Sequence, residues 1–375
     1  ALTLVTVEEA VRSLISRKEI DNVESLISKL IQQNPQFTFV IVEGAIKSFA
    51  LKRMFDSARS MISQLVEANQ ERMSDIIQGM VNALVLSDNL NQVGPILLRL
   101  IKDNQDNQNF ISDIIRVAIN TPALSNNLYG VSSIISDVIK DKFFDIQMGE
   151  KFINEQLVTE IVGVVINDYV LKGKDIKSIN QLVVDLARKA SSTRIAQIVG
   201  LTVKEYLCRD KKIDEIKPLI LDVLKLDRMK YNESATANVI YQTVDACFFI
   251  RKCGVDINID ISEISSLISD VIKDNFFDGT NKGEFVNQIV KTVIETCSSR
   301  CGRKNIDRLI VDLVQGAPTR IIQIMTQAIE YYNQHSKDVN EIIPLILEIL
   351  KLDYAKADRI IHCIFDQVIK YYHQR

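Results

Sequence analysis

The sequence predicts an all-α fold, an α-solenoid of stacked helical hairpins, and three observations carry that expectation. Apolar residues recur three and four apart along most of the chain, which is the period of one helix face. Only 13 Gly and 6 Pro among 375 residues leave too few breakers for the many tight turns of an all-β fold. One stretch is written three times, at 94–103 (GPILLRLIKD), 217–227 (KPLILDVLKLD) and 343–353 (IPLILEILKLD). Its prolines, Pro95, Pro218 and Pro344, stand 123 and 126 residues apart, so a unit of about 125 residues occurs in three tandem copies. With three hairpins in each copy, the expectation is about eighteen helices.

Taken in order, Val7, Ala10, Val11, Leu14 and Ile15, then Val23, Leu26, Ile27, Leu30 and Ile31, mark two short helices. Asp21 or Asn22 is placed to cap the second by accepting its free amide hydrogens. After the loop Gln33-Asn34-Pro35-Gln36, helices follow at about 39–49, 58–66 and 73–86, then 93–102 and 110–119, joined by short polar loops. The second copy opens at 132–145 (SSIISDVIKDKFFD), which matches 265–278 (SSLISDVIKDNFFD) at 12 of 14 positions. Further on, 182–187 (LVVDLA) answers 309–314 (LIVDLV), and Thr193-Arg194-Ile195 answers Thr319-Arg320-Ile321. The repeat units are therefore 1–131, 132–264 and 265–375 of one helical stack, each hairpin burying its apolar face only against its neighbours. The three prolines are expected in the first turn of their helices or at a slight kink, since a helix interior pays about 3 kcal/mol for proline. Asp103, Asp227 and Asp353 close the stretch where helix gives way to loop.

These residues resemble the helical-repeat solenoids of the HEAT and armadillo class, in which a first-helix Pro is followed about eight residues later by Asp. The resemblance is to the architecture and implies stacked hairpins with an extended binding surface. The Val-Arg pair typical of HEAT second helices is missing after Asp227 and Asp353. The aromatic and Gly pattern of tetratricopeptide repeats is absent, and hairpin lengths read as variable where pentatricopeptide RNA readers keep a strict period.

Composition narrows the possible functions. An apolar fraction of 47% with 6% aromatic and no Trp points to a core of Ile, Leu and Val. A net charge of −3 speaks against a polyanion as principal partner, because neutralising phosphates needs a basic surface. No apolar run reaches the roughly 18 residues of a membrane span. The six cysteines (208, 247, 253, 297, 301 and 363) lack paired C-x-x-C spacing and read as thiols in a reducing, cytoplasmic compartment. The alternative is a disulfide from Cys253 to Cys297 or Cys301, in a chain secreted after loss of a leader.

No phosphate-cradling glycine loop, no G-x-S-x-G and no H-E-x-x-H occurs, so no enzyme activity and no cofactor or metal is expected. His362 shares a helix face with Asp366 but not with Cys363, and nothing is spaced to complete a metal site. Two features stand out as candidates for partner binding. Arg72, Arg194 and Arg320 each begin a second helix, where the positive dipole end disfavours a cation, so each needs a partner, Asp185 and Asp312 being the nearest repeated acids. Phe143-Phe144-Asp145 and Phe276-Phe277-Asp278 place aromatic pairs at helix ends in the second and third copies alone. The expected function is a non-enzymatic scaffold or structural protein that binds a protein partner or copies of itself. Nucleic-acid binding and carriage of an apolar ligand are the alternatives.

Overall fold

The structure of the protein, a computed structural model, describes residues 4–104, 107–124, 127–140, 151–209, 211–230, 232–249, 260–273, 282–301, 303–335, 341–352, 361–362, 364–366 and 368–369. They form nineteen α-helices, several short 3₁₀ turns and no strand among the described residues. Two compact units divide the chain, 1–190 and 191–375.

Unit 1 contains α1 (Leu4–Ser16), α2 (Ile20–Gln33), α3 (Thr38–Leu51), α4 (Phe55–Ala68), α5 (Met73–Leu86), α6 (Val93–Asp103), α7 (Gln108–Ile119), α8 (Leu128–Lys140), α9 (Lys151–Leu171) and α10 (Ile176–Lys189). Each helix packs on the one two ahead of it, so the odd-numbered helices form one row and the even-numbered another. Unit 2 contains α11 (Ser192–Leu207), α12 (Ile213–Leu224), α13 (Asp227–Lys230), α14 (Glu233–Phe249), α15 (Ile261–Lys273), α16 (Lys282–Cys301), α17 (Arg303–Gly316), α18 (Ile321–His335) and α19 (Ile343–Leu350). Here α11, α14, α16 and α18 make one row and α12, α15, α17 and α19 the other. Two rows of antiparallel helices are the construction of an α-solenoid. The helices α8 to α12 recur in the same order as α15 to α19, so the tandem copies seen in the sequence are copies of helix order as well.

A shorter period runs through the first hundred residues. Among the described residues, Lys18, Arg53 and Asp88, 35 residues apart, are the non-glycine residues with positive φ, at 63°, 55° and 61°. Each follows an odd-row helix and closes it in the same way, with the next amide donating to a carbonyl five residues back: Glu19 to Leu14, Met54 to Phe49 and Asn89 to Leu84. This is the left-handed C-terminal motif. At the same interval Asn34, Asn69 and Asn104 follow the even-row helices and donate through Nδ2 to the carbonyls of Leu30, Leu65 and Leu100. Hairpin length is thus constant over residues 4–104, which corrects the variable lengths expected there.

Packing explains why the rows differ in composition. The odd-row helix α3 buries ten of its fourteen residues, because it meets α1, α5 and the even row at once. In contrast, α4 buries five of fourteen and keeps a wide polar face. Buried polar side chains find acceptors on their own helix: in α3 Ser48 Oγ donates to the Gly44 carbonyl at 3.0 Å, and in α11 Thr202 Oγ1 donates to the Ile198 carbonyl at 2.7 Å. Close approach of α5 to α3 depends on Gly79, where an added Cβ would lie 2.7 Å from the Phe39 carbonyl oxygen.

Several local expectations are corrected. Asp21 and Asn22 lie inside the first turn of α2, whose N-cap is Glu19, and Asn22 donates to the Glu19 carboxylate at 2.9 Å. Pro95 and Pro344 fall in the first turn, but Pro218 is the sixth residue of α12 and removes the bond its position would give to the Asp214 carbonyl. Asp227 opens α13, and Asp353 lies outside the described residues.

Gly79→Val should lower unfolding free energy by about 1–3 kcal/mol, because the added methyl groups must push backbone rather than a mobile side chain. Gly163→Ala in α9, with nothing near the new Cβ, should raise it by about 0.5–1 kcal/mol. Urea unfolding of the two variants beside the wild type measures both.

Candidate functional site

The three arginines occupy three different settings. Arg72 ends the 3₁₀ turn Gln70–Arg72 ahead of α5, and its side chain has no hydrogen bond or ion pair within the described residues. Arg194 is the third residue of α11 and is buried, 8% exposed. Arg320 ends the 3₁₀ turn Pro318–Arg320 ahead of α18, and its Nε donates to the carbonyl oxygen of Ile272 at 3.1 Å. Ile272 stands at the C-terminal end of α15, where carbonyls lack intrahelical partners and a cation is favoured by the helix dipole. Arg320 is therefore a brace between hairpins, but through a backbone carbonyl and not through Asp312. Asp312 instead accepts from Ser265 Oγ at 3.4 Å and faces Arg308 at 3.9 Å, with burial pushing its pKa above the usual carboxylate value. Asp185 pairs locally with Arg188 at 3.0 Å. The series does not form a ladder of like contacts.

Phe143, Phe144, Phe276 and Phe277 lie outside the described residues. His335 stacks on Tyr331 with ring centres 4.4 Å apart, and His362 and Asp366 are both exposed. No group of three His, Cys, Asp or Glu is placed to hold a metal ion among the described residues. Asn232, in the one Asn-x-Ser sequence, accepts from the Ala235 amide at 2.9 Å as the cap of α14.

A concavity of about 810 Å³ lies in unit 1, between α4 and α6. One wall is the outward stripe of α4 and the turn after it: Asp56, Arg59, Ser60, Ser63, Gln64, Glu67 and Gln70, spaced three and four apart. The other wall is the last turn of α6, with Arg99, Leu100, Asp103 and Asn104, and Phe110 of α7 joins the lining. Each arginine pairs with an acid of its own helix, Arg59 with Asp56 at 3.4 Å and Arg99 with Asp103 at 2.9 Å. Such partly exposed pairs contribute about 0.2–1 kcal/mol each, so they orient side chains more than they stabilise the fold. Arg59 Nε and Ser63 Oγ have no hydrogen-bond partner although both atoms are buried.

Sequence reasoning missed this groove because the α4 stripe reads as an ordinary solvated face. The signal present was the 35-residue copy, in which Asp21, Ser25 and Ser28 of α2 recur as Asp56, Ser60 and Ser63 of α4.

No protein-family model matches the chain, and no curated protein matches it. Among solved structures it is similar to a "circular tandem repeat protein with novel repeat topology and enhanced subunit contact surfaces". The identity is 13%, covering 98% of this chain and 89% of that one, at a TM-score of 0.25. A score that low carries no argument, and the helical-repeat assignment rests on the two-row packing itself. No helix among the described residues is long and apolar enough to cross a membrane.

Arg320→Met should destabilise unit 2 by about 1.5–3 kcal/mol, the range for a hydrogen bond from a charged donor, whereas Arg72→Met should stay within about 0.5 kcal/mol of wild type. Chemical denaturation of both variants reads the difference. For the cysteines, Cys208 is exposed while Cys247 and Cys297 are buried, and burial lifts the Cys247 thiol to about 12. A thiol reagent at neutral pH should label Cys208 in the folded protein and reach Cys247 and Cys297 only after denaturation, as peptide mass mapping would record.

Proposed function

We propose that the protein is a non-enzymatic helical-repeat scaffold that binds another polypeptide, and that the groove between α4 and α6 receives an extended segment of it. The groove's chemistry supports this reading. Two cations, Arg59 and Arg99, alternate with three carboxylates, Asp56, Glu67 and Asp103, among neutral donors and acceptors. A polyanion meets net repulsion on such a lining, whereas a peptide offers amide donors, carbonyl acceptors and side chains of both signs. An unpaired buried polar atom costs about 1–3 kcal/mol, so carbonyl or carboxylate oxygens that paired with Arg59 Nε and Ser63 Oγ would recover that penalty on binding. Phe110 in the lining supplies an aromatic anchor beside the polar walls. The even row's outward faces are free to vary because the core is carried by the opposite faces, which is how repeat scaffolds combine one framework with many partners.

Reversing both cations, Arg59→Glu with Arg99→Glu, is the direct test. Affinity capture from the native source with wild-type and double-variant chains, quantified by mass spectrometry, should show at least one polypeptide depleted by about tenfold or more with the variant. The circular-dichroism melting curve should stay close to wild type, because only partly exposed ion pairs are lost. Equal recovery of every captured polypeptide by the two chains would remove the groove from the reading.

A further inference from the structure

The even row is closed tightly after α6 and left open before it. Arg59 stands 35 residues before Gly94, at the place on α4 that Gly94 holds on α6. Glycine lets the next helix approach, since an added Cβ on Gly94 would stand 2.7 Å from Asp137 Cβ in α8. At the corresponding junction of unit 2, Lys217 of α12 pairs with Asp270 of α15. Arg59 instead puts a long stem and a guanidinium into the space between α4 and α6, and its ion pair is with Asp56 of its own helix.

That pairing is loose. Arg59 Nη1 stands 3.4 Å from Asp56, whose side chain is 97% exposed, and Arg59 Nε is buried with no hydrogen-bond partner. Arg99 across the groove differs, because its Nε donates to Asp103 at 2.9 Å. One turn further along the α4 stripe, Ser63 Oγ is buried without a partner, whereas Ser60 Oγ accepts from Gln64 Nε2 at 3.3 Å. The stripe therefore presents two neighbouring donors, a guanidinium N–H and a hydroxyl, that both lack an acceptor. A carboxylate offers both oxygens to such a pair with charge-assisted bonds, which are shorter than neutral ones and roughly twice as strong. A backbone carbonyl offers a single oxygen and no charge. A phosphate carries about two negative charges at pH 7 and meets stronger repulsion from Glu67 and Asp103 on the walls.

We propose, building on the polypeptide reading of this groove, that it selects a segment bearing an Asp or Glu side chain, whose carboxylate takes Arg59 from Asp56 and accepts from Ser63 Oγ. Asp56 turns to water, where its exposure already places it, so Arg59 exchanges one carboxylate for another. The mixed lining that repels a polyanion thus admits a single acid. Arg59 is both the wedge that holds the groove open and the anchor of its occupant.

Pools of short synthetic peptides test this, with blocked ends, random uncharged residues and a central Glu, Gln or phosphoserine, passed over the immobilised 375-residue chain. The Glu pool should be retained about tenfold more strongly than the Gln pool, and more strongly than the phosphoserine pool. Arg59→Met, which keeps a long side chain between α4 and α6, should bring the Glu pool down to the level of the Gln pool. Asp56→Asn removes the resident competitor at an exposed position and should strengthen retention of the Glu pool by about threefold or more. Equal retention of the Glu and Gln pools by wild type overturns the carboxylate anchor and leaves the groove a peptide site. Strongest retention of the phosphoserine pool overturns it in favour of phosphate. An Asp56→Asn chain that holds the Glu pool no better than wild type also overturns the proposal, a readout that stands even where Arg59→Met does not fold. Retention of every pool at the level of the Arg59→Glu, Arg99→Glu chain removes the polypeptide reading and the anchor together.

Discussion

Within each unit, the helices depend on the neighbouring helix of their own row. A hairpin of about thirty residues cannot bury both of its apolar faces alone, and isolated helices of about 12–15 residues are marginal in water. Burial of Ile41, Ile46 and Phe49 in α3 is complete only because α1 and α5 flank it. Such a dependence makes register the controlling variable. Register here is held by repeated backbone devices, namely the left-handed residues at 18, 53 and 88 and the asparagine caps at 34, 69 and 104, more than by any long-range ion pair.

That distinction decides what could be read from the sequence. The all-α class, the two-row stack and the positions of most helices followed from apolar period and internal matches, because burial acts on side-chain class, and class survives divergence. The 35-residue period of the first hundred residues stayed hidden for the same reason: Leu26, Met61 and Ile96 are equivalent in class but not in identity. Its turns are closed by Lys18, Arg53 and Asp88 where glycine would have announced them. Tandem copies that matched by identity, such as 132–145 and 265–278, drew attention to the longer period instead.

The arginine series shows a different limit. Helix-dipole reasoning correctly demanded a partner for Arg320, but sequence proximity suggested a carboxylate eight residues away. The partner is a carbonyl 48 residues earlier, at the end of a helix in the neighbouring hairpin. Backbone acceptors leave no mark in a sequence, so a side-chain search for charge pairs misses them. The groove was hidden by the opposite effect, since Asp56, Arg59, Ser63 and Glu67 are what any solvated helix face contains, and only the placement of α6 turns that face into a wall.

The division of labour between the rows follows from these constraints. Buried polar groups such as Ser48 of α3 and Thr202 of α11 each reach a carbonyl of their own helix, so these helices can be closed on several sides without orphaned donors. Even-row helices meet the odd row on one face and a row neighbour on each flank, leaving the outward stripe without structural duty. A substitution on that stripe changes chemistry without changing register, whereas one on a flank alters a junction that the chain uses repeatedly. Under the proposed reading a partner would meet the chemistry of the stripe, as at Arg59 and Ser63. Packing within the row belongs to the flanks, where Gly94 against Asp137 and Lys217 against Asp270 are two solutions to one problem.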